Sequence, residues 1–155
     1  MLNDIGDRIT VVHRAKHHPD YRVYNNDANA AFLAKAFVLK NFLTATDSML
    51  DKVGEGTPWD FKLNGKTVRV KWSPRVDARL IQYVAHVVPC DIYILVTGSY
   101  EFTMRGWAKG EELLRFENVM LLRYDLPAVY ALPQYELHPM EELYGGKEEG
   151  EAGTQ

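Results

Sequence analysis

The pair Asn64-Gly65, inside the stretch "PWDFKLNGKTVRVKW" (residues 58–72), constrains the fold of this chain more than any other feature. Asparagine and glycine both accept positive φ, so together they make a two-residue turn whose twist suits two antiparallel strands. A turn of that length also sets the register. Leu63 then faces Lys66, Phe61 faces Val68 and Trp59 faces Val70, all on one side of the ribbon, because strand side chains alternate. The other side carries Asp60, Lys62, Thr67, Arg69 and Lys71. The counting predicts a buried apolar face and a polar face with Asp60 opposite Arg69 and Lys71 one diagonal step away.

Before the hairpin, "NNDANAAFLAKAFVLKNFLTATDSML" opens on a capping residue, Asn26 or Asp27, and reads as a helix. Its apolar residues cover more than one face, which predicts a helix packed deep in the domain. "GEGTP" ends it. After the hairpin, "RVDARLIQYVAHVVP" fits a strand with Gln82 facing solvent or a short helix, and its periodicity does not separate the two. "CDIYILVTG" is a short β-branched run closed by glycine, the pattern of a central strand buried on both faces. "YEFTMRGW" alternates and should be its neighbour, with Trp107 as a packing anchor, and "AKGEELLRF" reads as a short helix. The proline-bearing "DLPAVYALPQYELHPMEEL" is expected to be a covering loop with a short final helix near Pro139–Leu143. This order predicts a single mixed α/β domain over residues 1–144. Residues 1–24 are an extension of unclear role, and 145–155 an acidic, disordered tail.

Composition bounds the chemistry. The chain has 155 residues, 46% hydrophobic and 25% charged, enough for one domain with a real core. Its net charge of −3 excludes a protein that coats nucleic acid by bulk charge. The closing "MEELYGGKEEGEAGTQ" carries five glutamates, however, so the remainder is close to neutral and leaves room for a local basic patch. No apolar run approaches a membrane span, and the first residues lack a signal-peptide pattern. A single cysteine, Cys90, makes no internal disulfide and is expected as a small core residue of a cytoplasmic protein. His13, His17 and His18 lack a neighbouring set of metal ligands. With Arg14, Lys16 and Arg22 they make a basic strip suited to phosphate, or an ordinary solvated surface. No nucleophile triad, phosphate-cradling glycine loop or dinucleotide fingerprint occurs.

Four pieces together resemble the PD-(D/E)XK, or restriction-endonuclease-like, nuclease superfamily in its small phage and prokaryotic forms. They are the buried helix, "PWD" ending at Asp60, "VRVK" ending at Lys71, and "DIYILVTG" followed by "FTMRGWAKGEEL". The resemblance covers about residues 27–115 and implies a mixed sheet flanked by helices and metal-assisted hydrolysis of phosphodiesters, most simply in DNA. It implies Mg²⁺, or Mn²⁺, held by carboxylates and a backbone carbonyl, with a lysine orienting the attacking water. On this chain Asp60 matches the metal-binding aspartate, Lys71 the motif lysine and the Val70 carbonyl the backbone ligand. Arg69 stands where the second carboxylate belongs, so Asp27 or Glu55 (or Asp51 or Asp77) would have to complete the metal site. Arg69, Lys62, Arg14 and Lys16 are the expected nucleic-acid contacts. A guanidinium beside Asp60 would instead pair with it and fill the volume of a hydrated metal. The expectations are therefore two: a DNA endonuclease with a rearranged site, or an inactive nuclease-fold protein that binds nucleic acid or another protein. A homodimer would let a small nuclease treat both strands. Against both stands the plain alternative of a solvated hairpin face with ordinary cross-strand ion pairs. If the chain is phage-encoded, its place would be the host cytoplasm.

Overall fold

The computed structural model describes residues 27–45, 50–51, 53, 56–99 and 101–144. Helix α1 (Asp27–Ala45) contains no glycine or proline and is rich in alanine and leucine, the strongest helix formers. Between residues 30 and 43 only Lys40 and Leu43 are exposed, which matches the apolar residues spread around its circumference. Strands β1 (Leu50–Asp51), β2 (Phe61–Leu63) and β3 (Lys66–Ser73) follow as an antiparallel meander. The β2–β3 turn takes the conformation its sequence demands, with φ of 51° at Asn64 and 84° at Gly65. Its register is the expected one, Leu63 facing Lys66 and Phe61 facing Val68.

Strand β5 (Ile92–Thr97) pairs parallel with β3 on its other side, and β6 (Thr103–Lys109) closes the edge antiparallel to β5. The five strands run in the order β1-β2-β3-β5-β6. Every residue of β5 is buried, as its unbroken apolar run requires. The chain crosses from β3 to β5 through β4 (Leu80–Tyr83), which leaves the main sheet and joins a second, three-stranded one in the order β4-β8-β7. Strands β7 (Val119–Met120) and β8 (Val129–Leu132) supply the rest of it. Two short helices, α2 (Gly110–Leu113) and α3 (Glu141–Tyr144), complete a single α/β domain.

The main sheet is covered on both faces. On one side Ala34, Val38 and Phe42 of α1 pack with Phe61, Val68, Val70, Ile94, Val96 and Leu143. On the other, Tyr93, Leu95 and Ala108 pack with Leu80, Leu113 and Leu132 of α2 and the second sheet. Helices therefore flank one face, and a small sheet covers most of the other.

Two expectations are corrected. "RVDARLIQYVAHVVP" contains a strand, but Gln82 is buried, its Nε2 donating to the carbonyls of Tyr83 and His86. The closing segment is not all loop. Pro127 and Pro133 flank β8 rather than interrupt it, leaving Val129–Leu132 free to form the middle of the second sheet. The short helix expected in "AKGEELLRF" is present as the four residues of α2, followed by a 3-10 turn at Phe116–Asn118.

Gly106-Trp107 fastens the closing segment. Gly106 has φ of 146°, and a Cβ there would lie 2.8 Å from the His138 carbonyl oxygen. That close approach lets Trp107 exchange backbone hydrogen bonds with His138 at 3.0 and 2.8 Å while its indole donates to the Pro139 carbonyl. Trp107 is a packing anchor, as expected.

Candidate functional site

The ladder between β2 and β3 stops at Phe61, and the site begins where it stops. The Asp60 amide still donates to the Val68 carbonyl at 2.8 Å, but its side chain does not stand opposite Arg69. It turns along the edge of β3, where Oδ2 accepts the Val70 N–H at 2.6 Å. The carboxylate thus takes the hydrogen bond that a further strand residue would have taken. Its Oδ1 is 2.8 Å from the Lys35 ammonium, reaching in from α1. Because N–H and C=O of one strand residue point the same way, the Val70 carbonyl is directed to this open edge too. Trp59 leaves the ribbon as well. It packs with the cluster under the second sheet, on the opposite face from Val70, and its indole donates to the Pro89 carbonyl. Trp72 packs with the α1 face.

Arg69 and Lys71 project from the other face of β3, level with Tyr93 and Leu95 of β5. Among the described residues Arg69 makes no ion pair, so the expected Asp60–Arg69 bridge is replaced by Asp60–Lys35. Lys71 lies half-buried beside Arg69. Burial first, then the neighbouring guanidinium and more weakly Lys35, hold its ammonium pKa down at about 8, although Asp60 pulls it up. Among the described residues the Tyr93 hydroxyl is buried without a hydrogen-bond partner, with Arg69 close beside it. Burial, and secondarily Cys90, push that phenol up to about 12, so it remains a proton donor. Cys90 is a buried core residue, its thiol raised chiefly by burial.

Lys71 is on the wall of a cleft of about 810 Å³ between the main sheet and the loops at residues 73–79 and 122–126. Arg75, Arg79 and Arg123 line it with a single carboxylate, Asp77. A larger cleft of about 1090 Å³ lies at the hairpin end and carries Asp51, Asp91, Glu111 and Glu142 against Lys66 and Lys109, the wrong balance for phosphate. Lys62 sits on β2 opposite Thr67 and beside Asp51, and is not part of the Lys71 cleft.

The described residues fit a metal poorly. Among the described residues no group of three histidine, cysteine or carboxylate side chains could hold one. The single motif carboxylate has both oxygens engaged by donors of this chain. Glu55 and the side chain of Asp27, the expected completing ligands, lie outside the described residues, as do Arg14, Lys16 and the histidines of the N-terminal strip. Asp77 is turned to Arg75 at 3.4 Å. Sequence reasoning missed Lys35, whose signal was available: one cation set inside "AFLAKAFVL", a run otherwise apolar, has to find an anion. It also missed Arg79 and Arg123, which no pattern separates from ordinary surface arginines.

No helix is long and apolar enough to cross a membrane among the described residues. A scan of protein-family models, a search of curated proteins and a search of solved structures each found no match.

Proposed function

We propose that this chain is a nucleic-acid-binding protein, with DNA as the first candidate, built on a nuclease-type α/β domain whose centre grips phosphate instead of a metal. One observation carries this reading. Asp60 is spent on Lys35 and the Val70 amide, while Arg69 and Lys71, two residues apart on one face, form no ion pair with a carboxylate among the described residues. Two partly buried cations beside a buried phenol donor favour an anion with several acceptor oxygens, which describes a phosphodiester. The restriction-endonuclease-like resemblance supports the same partner class, and the strand order is compatible with it.

The test is fluorescence anisotropy with a labelled DNA oligonucleotide in low salt with chelator present. Binding is expected without divalent metal, and Arg69→Ala and Lys71→Ala should each weaken it about tenfold, the scale of a lost charged contact. Binding that requires Mg²⁺ or Mn²⁺ and leads to cut DNA would overturn the reading.

A second reading, phosphodiester hydrolysis, is favoured by Lys71 alone. With a pKa of about 8 it can accept and release a proton near neutral pH, as a base or a water-orienting group must. Plasmid left intact by the unmodified protein in Mn²⁺ and in Mg²⁺ would end it. Cleavage abolished by Lys71→Ala with folding preserved would establish it.

A further inference from the structure

We propose that the cleft between the two sheets is a single-strand site, in which one or two unpaired nucleotides lay their phosphates on Lys71 and the arginine rim and their bases on the apolar residues of the same cleft. This rests on the nucleic-acid reading above and narrows it to one substrate class.

The cleft's charge runs against that of the chain. Four cations, Lys71, Arg75, Arg79 and Arg123, line it with one carboxylate, in a protein of net charge −3. The cations are held loosely enough to be taken over by a ligand. Arg75 pairs with Asp77 and Arg123 with Asp125, each two residues away and solvent-exposed, and exchangeable surface pairs of this kind are worth little. Arg79 donates to the Met120 sulfur, a poor acceptor for a guanidinium. A phosphate is a better partner for all three.

Charge alone would suit a duplex backbone equally well, and the wall decides between them. Ile81, Tyr83, Leu95, Leu122 and Leu126 line the same cleft, and Tyr83 (41%), Leu122 (40%) and Leu126 (37%) remain substantially exposed. Leu121 and Tyr124 continue this apolar surface on the loop outside, at 57% and 94% exposure. A solvated phosphate gains nothing from leucine. A base face does, and a base offers its face only when it is unstacked and unpaired. The volume of about 810 Å³ is that of a site for a small organic ligand, and the bases of a duplex, stacked on each other, could not enter it.

The experiment compares a fluorescein-labelled oligothymidylate of about twelve nucleotides with the same strand annealed to its complement, by anisotropy in low salt. It uses the full chain, the double variant Leu122→Ser/Leu126→Ser, and Arg79→Ala. Both leucines are already exposed, and matching circular dichroism confirms that the variant folds. The expected result is tighter binding of the single strand, with about a tenfold loss in the leucine variant from weakened base contact, and an unchanged duplex affinity. Arg79→Ala should weaken the single strand too. Equal or tighter duplex binding that ignores the leucines but falls with Lys71→Ala would overturn the single-strand inference and leave the nucleic-acid reading standing. Preference for the single strand without any effect of the leucines would place its site elsewhere and overturn the inference. No binding of either form would overturn both.

Discussion

The two faces of β3 come from the same eight residues and are finished in opposite ways. Val68, Val70 and Trp72 meet α1 in a closely packed apolar core, with Phe42 set against Phe61 and Tyr144. Lys71 meets the second sheet across a cleft, and Arg69 lies next to it by a buried phenol that has no hydrogen-bond partner among the described residues. Burying apolar area on the first face is what holds the domain together. On the second face the chain retains cations that cost stability to bury and that pair with no carboxylate in the described fold, Asp60 acting on Lys71 only from a distance. A fold keeps such a defect where something else completes it, which is why the site is sought on the second face.

The largest expected effect comes from damaging the first face. Phe42→Ala leaves a hole between α1 and the sheet and should destabilise the protein by about 3–5 kcal/mol in urea unfolding. The isosteric change on the opposite face, Arg69→Met or Lys71→Met, should be neutral or stabilising while nucleic-acid binding falls. If the cationic variants unfold as readily as Phe42→Ala, the faces do not divide stability from binding in this way.

Much of the first face was legible in the sequence. Asn64-Gly65 pinned the register, the unbroken "IYILVT" announced a central strand, and the all-round apolar helix announced its burial. The second face was not legible, because period-two counting assumes that the ladder continues. Here it ends at Phe61, Trp59 crosses to the other cluster, and Asp60 swings from its counted position to the strand edge. The second sheet was hidden for a related reason. Its strands are two to four residues long and far apart in sequence, so none carries enough periodicity to declare itself. Prolines on both sides of β8 made a strand look like loop.

Asp60 gives the next effect in size. Asp60→Ala removes the acceptor of the Val70 N–H and strands the Lys35 ammonium, and should cost about 2 kcal/mol, the price of an unpaired polar group. Asp60→Asn keeps an amide oxygen for Val70 and should recover most of that loss. If Asn fails to rescue stability, the charge on Lys35 matters more than the strand-edge hydrogen bond. If Asn instead abolishes DNA cleavage in a protein that cuts, Asp60 belongs to the chemistry after all.

The pH dependence of binding reads Lys71 directly. Its folded pKa of about 8 is below the ordinary lysine value of 10.5, so the folded protein binds fewer protons than the unfolded chain between those two values. Stability therefore rises with pH across that window, and the advantage of Lys71→Met seen at pH 7 should shrink toward pH 10. Binding moves the other way. A phosphate needs the charged ammonium, and raising the pH from about 7 to about 9 should weaken binding roughly tenfold, with Lys71→Met flattening the profile. A flat profile in the unmodified protein would mean that Lys71 does not touch the phosphate.

The smallest effect provides the control, because it falls on a polar cluster that is complete. Glu112 accepts the Lys109 amide at 2.8 Å at the start of α2 and meets the His138 ring nitrogen at 2.8 and 2.9 Å. Burial pushes its carboxyl up, but the Lys109 and His138 hydrogen bonds and the charges beside it win, and the net shift is downward. A carboxyl with a lowered folded pKa contributes stability above its unfolded value and loses it as the pH falls through the folded one. Glu112→Gln should thus cost about 1 kcal/mol at neutral pH, the scale of a helix cap, with the difference fading in acid. Oligonucleotide affinity should not change, since Glu112 lines neither the Lys71 cleft nor its rim. Partnered polar groups then act on folding and unpartnered ones on binding; an altered affinity in Glu112→Gln would break that division.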